Sequence, residues 1–128
     1  MDVQQPEEIR LSMPASPELL RVARLTAAGL ANRVGFDVDE IDDIKVAVEE
    51  LCFAVVGSTP RAGTLSLRFM LEPGQLVIEG SGPGSGDGRD RETSELSTLI
   101  LDAVVDEHEL THSAEEVRFR LRKRRAGG

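Results

Sequence analysis

The segment Asp43-Ile44-Lys45-Val46-Ala47-Val48-Glu49-Glu50-Leu51-Cys52-Phe53-Ala54-Val55-Val56 constrains this chain more than any other, because its pattern admits one secondary structure. Ile41, Ile44, Val48, Leu51 and Val55 recur at spacings of three and four, which a helix gathers into one apolar stripe. Asp43, Ala47, Glu50 and Ala54 keep the same spacing about 100° further round. Small side chains around one carboxylate suit the wall of a pocket. They also suit a plain helix flank with one solvated glutamate.

A chain of 128 residues around such a helix has room for one domain and little more. Hydrophobic residues reach 40% but aromatic ones only 3%, so the core must be aliphatic. The net charge of −8 argues against general nucleic-acid binding. No apolar run approaches the ~18 residues of a membrane-spanning helix. Met1-Asp2-Val3-Gln4-Gln5-Pro6-Glu7-Glu8 is polar and acidic, unlike a signal peptide, so a cytoplasmic location is expected. The single Cys52 can form no internal disulfide and reads as a buried, inert thiol.

Taken in order, residues 1–7 read as a disordered tail. Ile9, Leu11 and Met13 alternate with polar residues, giving a strand over 8–13 that Pro14 ends. Ser16-Pro17-Glu18 is a helix start, and the helix runs to about Arg33 with Leu20, Ala23, Ala27, Leu30 and Val34 inward. Leu19, Val22 and Leu25 widen that apolar face, as in a helix that meets a partner as well as its own core; a wide core face fits the same pattern. Arg21 and Arg24 are the exposed candidates for partner contact on it. Gly35-Phe36 separates this helix from the next, which Asp37 or Asp39 caps and Gly57-Ser58-Thr59-Pro60 stops. Leu65, Leu67, Phe69 and Leu71 alternate into a strand, Glu72-Pro73-Gly74-Gln75 turns, and Leu76–Glu79 pairs back. Gly80 to Glu92 reads as a loop. Thr93 or Ser94 caps a helix whose stripe is Leu96, Leu99, Ile100, Ala103 and Val104, running to about Asp106. Residues 107–112 are extended, and Val117, Phe119 and Leu121 mark a last strand before a basic tail over 123–128. This order predicts an α/β (α+β) two-layer sandwich: a mixed, mostly antiparallel sheet with three helices on one face, as a single domain over 8–122.

Three stretches hold residues that could do chemistry. Gly80-Ser81-Gly82-Pro83-Gly84-Ser85-Gly86-Asp87-Gly88 lacks the Lys-Ser/Thr that completes a phosphate loop, and no register gives the dinucleotide fingerprint. His108-Glu109-Leu110-Thr111-His112 matches the zinc-protease pattern, but that chemistry needs a helix. On a strand at about 3.3 Å per residue the imidazoles stand roughly 13 Å apart, so no metal site is expected. The arginines from Arg118 to Arg125 fit the solvated face of an edge strand better than a phosphate site.

The segment Asp43–Val56 resembles the N-box helix of the GHKL (histidine-kinase-like) ATPase fold, in the form found in bacterial anti-sigma factors that are serine kinases. Val77-Ile78-Glu79-Gly80-Ser81-Gly82-Pro83-Gly84 is similar to that family's Asp-x-Gly-x-Gly box. Leu99–Glu107 is similar to the helix after its nucleotide lid, and the element order agrees from about residue 8 to 122. The resemblance implies a protein that sequesters an alternative sigma factor and releases it when a STAS-domain anti-anti-sigma factor competes. A homodimer is implied as well.

Carried over by position, Glu50 falls on the catalytic base and Ala54 on the asparagine that holds magnesium. Gly80 falls on the aspartate that reads the adenine amino group, and Arg91-Glu92-Thr93-Ser94-Glu95 stands in place of a second glycine pair. Gly82, Gly84 and Glu50 alone remain of the implied site. The expectation is therefore a pseudokinase that retains the fold, needs no cofactor and binds a sigma factor. The alternative is an active serine kinase that uses ATP and magnesium. Neither nucleic acid nor membrane is expected as a partner.

Overall fold

The computed structural model describes residues 3–58, 62–84 and 94–126. Five strands and three helices follow one another as β1 (Glu7–Pro14), α1 (Leu20–Val34), α2 (Val38–Val56), β2 (Thr64–Glu72), β3 (Gln75–Pro83), α3 (Glu95–Val104), β4 (Glu107–His112) and β5 (Glu116–Arg124). The sheet order is β1-β2-β3-β5-β4. It is antiparallel at every pairing rather than mixed. The cause is the α1–α2 pair, which carries the chain out and back, so that β2 starts at the end where β1 finished. Pro14 pairs with Thr64 there, and Ala15 N–H donates to Gly63 O at 3.1 Å.

The helices cover one sheet face. Leu65, Leu67, Phe69 and Leu71 of β2 meet Leu76 and Ile78 of β3 and Val117, Phe119 and Leu121 of β5 beneath Ile44, Val48, Leu51 and Val55 of α2. The apolar stripe read from the sequence is thus the ridge that α2 presents to the sheet. Its neighbours Ala47 and Cys52 are fully buried too, and burial pushes the Cys52 thiol up to about 12. Asp37, not Asp39, caps α2. Its Oδ1 accepts from Glu40 N–H at 2.8 Å while Glu40 Oε1 accepts from Asp37 N–H at 2.9 Å, a closed capping box. Gly35, at φ 102°, ends α1 in a left-handed turn that a side chain would strain.

Several boundaries differ from expectation. Pro14 belongs to β1, an edge strand where a missing N–H costs nothing. Ser16 makes no side-chain cap; Pro17–Leu19 is a 3-10 turn, and α1 begins at Leu20. The tail expected over 1–7 is tied down sooner, because Val3 is buried and Glu7 is paired with Arg33 through two bonds of 2.6 Å. The basic tail also begins later than 123. Lys123 lies in β5, donates to Val104 O at 2.6 Å and faces Asp43 at 3.6 Å, which fastens the end of α3 to α2 and the sheet. Gly80 to Pro83 is strand, paired with Glu116 to Phe119, and the expected loop beyond Gly84 lies outside the described residues together with Thr93.

Helix α3 buries a different face from the one its stripe suggests. Leu101 is buried, whereas Leu96 and Leu99 are 67% and 66% exposed. The helix is amphipathic, but Leu96, Leu99 and Ala103 of its apolar stripe face outward, while Ser97, Thr98 and Leu101 turn inward.

Candidate functional site

Glu50 leaves α2 on the side that meets α3. Its carboxylate accepts a hydrogen bond from Ser97 Oγ at 2.6 Å, half-buried between the two helices. Ser97 is placed by the start of α3. Ser94 caps that helix, its Oγ accepting from Ser97 N–H at 3.0 Å, and the two hydroxyls lie 3.1 Å apart. One turn along α2 from Glu50 stands Ala54, half-buried. A magnesium ion needs oxygen donors in near-octahedral array, and a methyl group offers none.

Glycines at alternate positions run from the floor of this region. Positions 80 and 82 share the inner face of the sheet with Leu67 and Phe119. A Cβ on Gly80 would stand 2.2 Å from Phe119 Cε2 and 2.5 Å from Cζ, so the ring fills the space that a side chain would enter. A Cβ on Gly82 would stand 2.3 Å from Val55 Cγ1; here β3 and α2 touch backbone to side chain. At Gly84 a Cβ would meet Ala114 O at 2.6 Å and Ser113 O at 2.9 Å, and the residue's N–H donates to Glu115 O at 3.0 Å. All three glycines are places of close approach. Gly82 and Gly84 are packed into strand pairing and the β4–β5 turn, and a side chain at position 80 would have to displace the Phe119 ring. Glu79, one residue away, points to the opposite face of the sheet, where it meets Arg68 at 3.3 Å.

The other face of Glu50 borders a groove of about 430 Å³ lined by Pro17, Leu20, Arg21, Glu49 and Phe53. Arg21 is exposed at its rim and donates to Glu18 O at 3.4 Å. Arg24 is not a freely exposed residue as expected: it is half-buried and paired with Glu49 across the α1–α2 seam at 2.6 Å. Phe53 is 51% exposed and Leu25 60%, so the helical layer presents apolar side chains that its own core does not cover.

His108 and His112 lie on strand β4, whose extended geometry separates them. His108 Nε2 bonds Asp102 Oδ1 of α3 at 2.6 Å, so its role is to hold helix to strand. Among the described residues no group of histidine, cysteine and carboxylate side chains is placed to hold a metal ion, and no helix is long and apolar enough to cross a membrane. Elsewhere, the shifted acids are structural. The Arg33 guanidinium holds the Glu7 carboxyl below its usual range, and Arg68, with Arg10, does so for Glu8.

Ser97 and Phe119 were not legible as site residues. The first depends on which face α3 turns inward, and the second on a strand register set by residues far apart in the chain.

Known proteins with related sequences and structures fit this geometry. Residues 13–123 match the family model described as a histidine kinase-like ATPase domain. The serine-protein kinase RsbW of Halalkalibacterium halodurans is 34% identical over 128 aligned positions, covering 86% of this chain and 79% of that protein. The serine-protein kinase RsbW of Bacillus subtilis is 31% identical over 102 positions, covering 77% of this chain and 64% of that one. A crystal structure of the RsbU and RsbW domains of Rv1364c from Mycobacterium tuberculosis superposes with a TM-score of 0.72 at 19% identity. It covers 92% of this chain and 32% of that one, a likeness of fold. The antiparallel sheet under three helices, the match across residues 13–123 and the kinship with RsbW place this chain in the histidine kinase-like ATPase domain family.

Proposed function

We propose that the chain is an anti-sigma factor that sequesters an alternative sigma factor by protein–protein binding, with ATP binding and kinase chemistry lost. The observation that carries this reading is the Phe119 ring against Gly80, 2.2 Å from where a Cβ would stand. Phosphoryl transfer depends on holding a nucleotide and neutralising its charge, with little covalent work for the protein. Here the base-reading acid has no room, and the magnesium-holding position is Ala54. Glu50 is then a remnant of the catalytic base, held by Ser97, and Gly82 and Gly84 serve packing. The apolar side chains Val22 and Leu25 of α1, with Arg21 at the nearby groove, would form part of the sigma-binding face. A STAS-domain anti-anti-sigma factor would compete for it. The working form would be a homodimer in the cytoplasm.

Calorimetry with ATP and ADP, with and without magnesium, tests the first half. No heat at millimolar nucleotide is expected, and micromolar magnesium-dependent binding would overturn it. Affinity capture from cells tests the second, with a sigma factor expected and its absence, along with any STAS protein, decisive against the reading.

One observation favours the active-kinase alternative. The Glu50 carboxylate already accepts a hydrogen bond from a serine hydroxyl at 2.6 Å, the contact that a general base makes with a serine acceptor. Incubation with labelled ATP and a STAS-domain protein separates the two. Transfer of label that Glu50→Ala abolishes would establish the kinase.

A further inference from the structure

Strand β4 ends the sheet, with β5 on one flank and no strand of the described residues on the other. Its ladder with β5 fixes which backbone groups are spent. Ser113 N–H donates to Glu116 O at 2.8 Å, and bonded pairs alternate from there along the register as Thr111–Arg118, Glu109–Arg120 and Glu107–Arg122. His108 and Leu110 lie between these pairs, so their N–H and C=O groups point away from β5, out of the edge. A six-residue strand without proline, carrying such groups, is a template for one more strand.

The two faces of β4 differ. Glu107, Glu109 and Thr111 are exposed on the outer face, away from the helices, while His108 and Leu110 turn half-buried toward them. A strand added beside β4 has these side chains as its cross-strand neighbours, about 5 Å away, with the β5 arginines one strand farther in. The rim it meets is acidic. Glu107 is shared by Arg122 at 3.5 Å and Arg124 at 3.3 Å. Among the described residues no cation pairs with Glu109, because Arg120 beside it leans to Glu79 at 3.8 Å. Asp102 and Asp106 join the two glutamates along a groove of about 500 Å³. Asp102 holds His108 at 2.6 Å, and Asp106 accepts from the Arg124 N–H at 2.7 Å.

We propose that the β4 edge is a strand-addition site for an extended segment of a partner protein in which cationic residues alternate with apolar ones. The outward backbone groups of His108 and Leu110 bind the segment's backbone. Its cationic side chains fall opposite Glu107 and Glu109, and its apolar ones lie beside Leu110, extending the core at that edge. The outer face already follows this rule, since Glu79 stands between Arg68 and Arg120 of the neighbouring strands, and a cation beyond Glu109 continues the alternation. A second copy of the chain fits this edge less well. Pairing β4 with β4 about Leu110 sets Glu109 diagonal to the copy's Glu109, a repulsion between two chains each of net charge −8. The inference is independent of the nucleotide and sigma-factor reading, which concerns α1 and α2.

The test is fluorescence anisotropy of a labelled Lys-Val-Lys-Val-Lys-Val peptide with the full chain in about 10 mM salt, where surface charges act over ~30 Å. Amide hydrogen exchange of the chain is followed with and without the peptide. Saturable binding is expected, with exchange at His108 and Leu110 slowed about tenfold or more at saturation. Glu109→Lys should weaken binding about tenfold or more, while Glu18→Lys, the same change of charge at an exposed position on the helical layer, should leave it within about twofold. Circular dichroism and melting of each variant verify that the fold is kept. The proposal is overturned by no binding at millimolar protein, by equal binding of Glu-Val-Glu-Val-Glu-Val or of Lys-Lys-Lys-Val-Val-Val, by exchange at His108 and Leu110 that the peptide leaves unchanged, or by indifference to Glu109→Lys. Sedimentation showing a dimer whose dilution speeds exchange at His108 and Leu110 would overturn it too, because the edge would then belong to a second copy.

Discussion

Phe119 and Gly80 face each other across the β3–β5 ladder, with the aromatic ring occupying the volume that any side chain at position 80 would need. Gly80→Ala should therefore cost about 1–3 kcal/mol through overpacking, and Gly80→Asp more, because it also buries a charge. Phe119→Ala alone should cost about 3–5 kcal/mol by leaving a cavity. Urea denaturation of the two alanine variants and their combination is expected to show strong non-additivity, the double variant being less damaged than the sum. Simple additivity would mean that the ring yields without resistance.

Ser97→Ala removes the hydroxyl that satisfies a half-buried Glu50 oxygen. The expected loss of stability is about 1–2 kcal/mol, with faster amide exchange in the first turn of α3. Unchanged exchange there would show that the bond does not hold the two helices together.

The capping box at the start of α2 gives a cleaner stability prediction. Asp37→Ala should cost about 1 kcal/mol and Asp37→Asn far less, since asparagine also accepts from the Glu40 N–H. Thermal melting of the pair of variants measures the difference. Equal losses would assign the effect to charge near the helix dipole instead.

The arginine-bound carboxyls fix a pH dependence. Arg33 lowers Glu7, and Arg68 with Arg10 lowers Glu8, from the ordinary value of 4.5. A depressed folded pKa contributes stability that is present above the unfolded value and lost as pH falls from about 4.5 through the lower folded value. Melting temperatures of wild type and Glu7→Gln should thus differ at pH 7 and converge near the acid end of that window. A gap that stays constant with pH would exclude the ion pair as its source.

Cys52 should be inert in the folded protein. Its thiol is fully buried and pushed up to about 12, so little thiolate exists at neutral pH. A thiol reagent at pH 8 is expected to label it only after denaturant is added; rapid labelling of the native chain would reveal local opening of α2.

How legible these features were depends on whether their cause is local. Helix α2 could be read in full because one buried ridge, Ile44 to Val55, repeats at helical spacing. The acids at its start announced a cap, and only the choice between Asp37 and Asp39 needed geometry. The sequence pattern of β3 stops at Gly80 because glycine and proline weaken strands in general; here β5 and α2 approach so closely that glycine fits best. The phase of α3 is not legible because its inner side carries Ser97 and Thr98 beside Leu101, and contact with α2 and β4 selects it over the apolar stripe of Leu96 and Leu99. The Ser97–Glu50 contact follows from that phase, 47 residues apart in sequence, and no local pattern announces it.

The contact at Gly80 has a historical corollary. With Phe119 in place, an acid at position 80 must displace the ring to enter. Shrinking the ring first opens a hole in the core. Each change is harmful by itself, and they become tolerable only together, a sign-dependent coupling between neighbours. Positions 80 and 119 are thereby tied to each other, and a carboxylate at position 80 is reached only through a less stable protein.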